Sequence, residues 1–126
     1  MTSGGVDARR KPFVPVTMLD NQSRPHAIQF ILDTGFTGQL LLLNRYLDRL
    51  GLSITEWIDA RPATGEFVRV PYAEATVVWR GTQRRAEILQ LDSEPLLGME
   101  FLWNHRITMD AVTDGAVSIT PLGGRI

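Results

Sequence analysis

An apolar run that ends on a carboxylate constrains this chain most. Ile31-Leu32 leads directly into Asp33-Thr34-Gly35, and Phe36-Thr37-Gly38 follows. An unpaired charge at the tip of an apolar strand is costly, so such a group usually titrates or meets a partner. The Asp-Thr-Gly triplet occurs once in the chain. Chemistry that needs two carboxylates would have to draw the second from another copy.

Size and composition frame what this strand can belong to. With 126 residues the chain has room for one domain and a modest core. Hydrophobic residues make up 44% and charged residues 21%, an ordinary balance for a globular protein. The net charge of −1 gives no sign of a nucleic-acid or acidic-membrane partner. There is no cysteine, which excludes disulfides and thiolate metal sites. His26 and His105 stand far apart without a spaced ligand set, so no metal and no cofactor are expected. Residues 1–11 are polar, carry Gly4-Gly5 and Arg9-Arg10, and lack the apolar segment of a signal peptide. No run reaches the roughly 18 apolar residues of a membrane helix. A cytoplasmic protein without a membrane partner is the expectation.

The rest of the chain reads as strands. Residues 1–11 suggest a flexible N-terminal arm, with the domain spanning 12–126. Residues 13–19 and 27–32 flank a turn at Asp20-Asn21-Gln22-Ser23 and predict a hairpin, with Pro15 favouring an edge position. The apolar run 39–43 fits a buried strand. Asn44 is a plausible N-cap for a short helix to residue 50, with Leu47 and Leu50 on one face and Gly51 to end it. Residues 53–60 and 67–72 flank a loop over 61–66 that contains Gly65. Residues 75–79 and 82–91 predict another hairpin. Leu96-Leu97-Gly98 precedes a helical turn over 99–104, and final strands fall at 106–110 and 116–120 around Thr113-Asp114-Gly115. The fold class is all-β with one or two short helices.

Four of these features, in order, give a family resemblance. They are the strand ending in Asp33-Thr34-Gly35, the loop around Gly65, the Leu96-Leu97-Gly98 signature and the helical turn after it. Together they resemble a single-domain, retropepsin-like aspartic protease, and the helix over 44–50 is more like the bacterial branch of that group. The resemblance covers roughly residues 13–121. It implies a closed, barrel-like acid protease fold and an aspartic endopeptidase that works as a homodimer on a peptide or protein substrate. Asp33 from each subunit would share one proton and activate one water. Thr34 would hydrogen-bond across the dimer, and Gly35 would let its N–H approach the carboxylate. Leu97 and Gly98 would support the active-site loop. Phe36, Leu40, Thr64, Gly65 and Glu66 would bind substrate, with the 61–66 loop closing as a flap. Viral members usually carry a small residue where this chain has Phe36, so the ring would narrow the cleft, shift the dyad or pack inward.

Other readings fit parts of the same sequence. Asp33 could simply form a turn. Asp33-Thr34-Gly35-Phe36-Thr37 also resembles the Asp-x-Gly-x-Thr phosphate loop of sugar kinases, but those folds need two lobes, and this chain has length for one. The same fold could instead serve as a catalytically silent dimeric module that binds peptides by backbone pairing.

Overall fold

The computed structural model describes residues 2–60, 65–66 and 68–123, leaving aside the side chain of residue 60. Apolar side chains alternate along most strands, and this alternation builds the core. In β2 (Pro12–Leu19) the inward set is Val14, Val16 and Met18. In β3 (Pro25–Leu32) it is Ile28, Phe30 and Leu32. The two strands pair antiparallel, with Val14 opposite Phe30 and Val16 opposite Ile28. At their turn Asp20 is buried and saturated. Its carboxylate takes bonds from the backbone N–H groups of Gln22 and Arg24, from the Arg24 side chain, and faces His26 at 2.9 Å. The His26 bond, reinforced by those N–H donors, holds the carboxyl well below the usual carboxylate range.

β4 (Leu40–Leu42) is wholly buried, and α1 (Asn44–Leu50) follows it with Leu47 and Leu50 turned inward. Asn44 is not the N-cap. Leu43 holds that position without a side-chain cap, and the Asn44 amide reaches Asp48 instead. Gly51 ends the helix in the left-handed conformation at φ 66°. β5 (Glu56–Ala60) pairs with β6 (Val68–Trp79), and β6 turns through Arg80-Gly81 into β7 (Thr82–Gln90). The sequence suggests separate strands at 67–72 and 75–79. They are one, because the ladder is unbroken: β6 pairs with β5 from Val68 to Tyr72 and with β7 from Tyr72 to Trp79. β8 (Leu96–Leu97) and α2 (Met99–Leu102) come next, and Trp79 meets Phe101 edge-on at 4.9 Å in the core. β9 (His105–Met109) and β10 (Ala116–Pro121) close the chain as an antiparallel pair.

The sheet runs β5-β6-β7-β4-β8-β3-β2-β1-β10-β9, and a further β6–β2 pairing bends part of it into a ring. The ring is not a regular barrel. Two residue pairs alone shut it, Thr17 with Val78 and Met18 with Val77, and parallel pairings at β3–β8 and β4–β7 interrupt the antiparallel ones. Pro15 falls between the stretch of β2 that pairs β1 and the stretch that pairs β6, so its missing N–H costs no ladder bond there.

The N-terminal segment differs from the expected flexible arm. Thr2–Val6 forms β1, paired on one side with β10 and on the other with β2. Gly4-Gly5 serves close approach rather than looseness: a Cβ at Gly4 would lie 1.8 Å from the Phe13 carbonyl oxygen. The following turn is tied by the Asp7 carboxylate, which accepts the backbone N–H groups of Arg9 and Lys11, and both basic side chains pair with Glu94. No helix among the described residues is long and apolar enough to cross a membrane.

Candidate active site

The end of β3 is held from one side by β8. Ile31 and Leu32 lie parallel to Leu96 and Leu97, and the Asp33 N–H donates to the Leu97 carbonyl at 3.0 Å. The chain then turns sharply. The Gly35 N–H donates to the Asp33 carboxylate at 2.9 Å, and the Phe36 N–H donates to the Asp33 carbonyl at 3.1 Å. A carboxylate fixed by its own loop in this way keeps a defined direction while one oxygen stays available. Asp33 is half-buried, whereas Thr34 and Gly35 are exposed.

A second set of bonds ties the loop to the start of α2. Gly98 N–H donates to the Gln39 carbonyl at 2.8 Å, Met99 N–H to Phe36 at 2.8 Å, and Glu100 N–H to Gly38 at 3.2 Å. This contact is possible because residue 98 has no side chain: a Cβ there would sit 2.2 Å from the Gly38 carbonyl oxygen and 2.7 Å from the Phe36 ring. The ring also lies against Gly38, where a Cβ would approach it to 2.8 Å. Phe36 therefore folds back over two glycines while one side of it borders the space beside Asp33.

That space is a groove of about 670 Å³. The loop residues Asp33, Gly35, Phe36, Thr37 and Gly38 form one wall, and Ile58, Asp59, Val68 and Val70 of the β5–β6 hairpin form another. Leu41, Leu89, Leu91 and Leu96 complete an apolar lining. A mostly apolar groove with a carboxylate at its wall and a hairpin beside it is a setting suited to a peptide segment. No group of three histidine, aspartate or glutamate side chains able to hold a metal occurs among the described residues.

The expected site residues divide in two. Asp33, Gly35 and Phe36 line the groove. Thr34 is beside it at the exposed tip, and Leu97 and Gly98 lie beneath the loop, both buried. Leu40 is a correction: it is fully buried in the core, because a strand alternates and its neighbour Leu41 takes the groove side. Gly65 and Glu66 are exposed and do not border the groove, since the hairpin wall is made by residues nearer its base. Thr64 lies outside the described residues, as do residues 61–63 of the loop. The sequence reading missed Ile58, Val68 and Val70. Val68 and Val70 alternate with Arg69 and Pro71, a period-two signal that marks a shared face.

A crystal structure of a retropepsin-like aspartic protease from Rickettsia conorii matches this backbone with a TM-score of 0.55. The match covers 93% of this chain and 87% of that one, at 16% sequence identity. The fold is retropepsin-like. No protein-family model matches the sequence, and no curated protein does. At this identity the likeness establishes architecture, and function must be argued from the site.

Proposed function

We propose that the chain is an aspartic endopeptidase that becomes active as a homodimer. The observation that carries this reading is the single Asp33 carboxylate, pinned at a strand end and opening onto a groove walled by a hairpin. One such group is half of a general acid–base pair. A twofold axis beside the loop supplies the other half, because an isologous interface presents the same residue twice. Two carboxylates held close together do not both ionise readily, so the pair keeps one proton.

The chemistry then follows without a covalent intermediate. The ionised Asp33 takes a proton from a water held between the two groups, and the water oxygen attacks the scissile carbonyl carbon. The protonated partner group donates to the carbonyl oxygen, which gives a neutral diol. Collapse of the diol returns a proton to the departing amine nitrogen and breaks the C–N bond. The apolar walls contributed by Phe36, Leu41, Ile58, Val68 and Val70 suit a substrate with apolar side chains around the cut. Thr34, exposed at the tip, is placed by this reading to bond the partner's loop.

The test is turnover of an unstructured peptide library. The wild type should cleave it, a statine peptide such as pepstatin that mimics the diol should block cleavage, and Asp33→Asn should lower the rate about 100-fold or more. Equal cleavage by the wild type and Asp33→Asn would end the proposal. A wild type that binds the peptides and never cuts them would favour the silent binding module.

A further inference from the structure

β3 is paired along only part of one flank. Successive residues of a strand aim their backbone groups to opposite sides. The even-numbered set of β3 is spent on β2. The Asp20 N–H donates to the Arg24 carbonyl at the turn, and both prolines of the hairpin fall in odd-numbered pairs, Pro15 with Gln29 and Leu19 with Pro25, where the ladder needs no N–H. The odd-numbered set faces β8, and the Ile31 N–H donates to the Pro95 carbonyl at 2.8 Å. The parallel ladder stops there. The next carbonyl in line, that of Gln29, would need an N–H from residue 95, and proline has none. Ala27 and Gln29 thus turn their N–H and C=O groups to a flank with no strand against it among the described residues.

The gap they face is a cavity of about 390 Å³, and its far wall is α1, through Tyr46, Arg49 and Leu50. The two walls are tied together: the Asn21 N–H at the hairpin turn donates to the Leu50 carbonyl at 2.9 Å. Past Gln29 and Tyr46 the space runs on into a second hollow that ends at Pro95. The carboxylates of that hollow, Asp7 and Glu94, are paired with Arg9 and Lys11. The helix end of the gap has the opposite character. No accessible carboxylate lines it, and the Asp20 that bonds His26 is buried with both oxygens taken. Arg49 is exposed beside the Tyr46 ring and makes no ion pair among the described residues.

We infer that this gap takes an extended, acidic segment of another polypeptide, laid beside β3 in the lane that β8 leaves at Pro95, with a glutamate or aspartate side chain on Arg49. The segment supplies the backbone bonds that Ala27 and Gln29 lack, and Arg49 selects its charge. A bare strand flank is ordinarily blunted by charge or a bulge. This one is recessed instead. The α1 wall stands in the way of the neighbouring strands that a second copy's sheet would bring, and admits a single chain. Because both walls are fixed before anything binds, little ordering cost falls on the protein. The site shares no lining residue with the Asp33 groove, so it stands whether or not Asp33 cuts peptides.

The probe is the capped peptide Thr-Val-Glu-Val-Thr, titrated into isotope-labelled Asp33→Asn protein so that the probe stays whole. The backbone N–H signals of Ala27 and Gln29 should shift and gain protection from exchange, while those of Leu41, Val70 and Leu89 in the Asp33 groove stay put. Arg49→Glu should weaken binding about tenfold, and a probe with lysine in place of glutamate should regain that loss on the variant. Ala27→Pro deletes one N–H that gives nothing to β2 and should also weaken binding about tenfold. If Ala27→Pro does not fold, Arg49→Glu on the exposed side of α1 still decides. Full affinity in a folded variant would overturn the inference. So would an absence of shifts at Ala27 and Gln29 at millimolar probe, or shifts confined to the Asp33 groove. Inorganic phosphate that reproduces the same shifts and protection would reduce the gap to an anion pocket and overturn the added strand.

Discussion

At position 98 a methyl group has nowhere to go. The space a Cβ would need is taken by the Gly38 carbonyl oxygen and the Phe36 ring, and the backbone oxygen cannot swing aside as a flexible side chain could. Gly98→Ala should therefore cost about 1–3 kcal/mol of stability, read as a lowered urea midpoint with an unchanged slope. The same substitution should displace the Asp33 loop, since Gly98, Met99 and Glu100 all bond to it through backbone N–H groups. Activity would then fall further than stability alone explains. Phe36 belongs to the same unit. A ring at that position is tolerated because two glycines make room for it.

Among the elements, the β5–β6 hairpin carries a titration that can be followed directly. Tyr72 and Glu56 lie opposite each other, and the phenol donates to the carboxylate at 2.6 Å. That bond to Glu56, with some burial, pushes the Tyr72 phenol up to about 12. The unfolded phenol titrates near 10, so the stabilisation is complete below pH ~10 and fades as pH rises toward the folded value. Absorbance titration should show one tyrosine ionising about two pH units late, and Glu56→Gln should bring it back toward normal. The elements were legible from sequence where local rules act alone. The turn at Asp20-Asn21-Gln22-Ser23 between two apolar runs marked β2 and β3, the Arg80-Gly81 turn marked the start of β7, and Gly51 marked the end of α1. The reading failed where tertiary contact decides. Gly4-Gly5 looks mobile as a string of letters and is in fact squeezed between strands. At the site, Asp33 announced itself as a carboxylate on an apolar tip. Leu40 and Leu41 could not be told apart, because the phase of a strand is fixed by its neighbours and not by a run of four leucines.

For the whole molecule, the proposed site belongs to two chains at once, and this has a measurable signature. Mixing equal amounts of the wild type and Asp33→Asn should leave only about one quarter of dimers with both native carboxylates, if subunits exchange freely. Specific activity per wild-type chain should drop to about half, and strong dilution should abolish it in the wild type alone. Unchanged activity in the mixture would mean that each chain works unaided. The seam between β2 and β6 carries a separate consequence. It joins residues about sixty positions apart through two residue pairs, the longest-range and thinnest joint of the ring formed with β2. So slender a joint is where the ring should open first, and amide exchange along Thr17, Met18, Val77 and Val78 should report that breach ahead of the rest of the sheet.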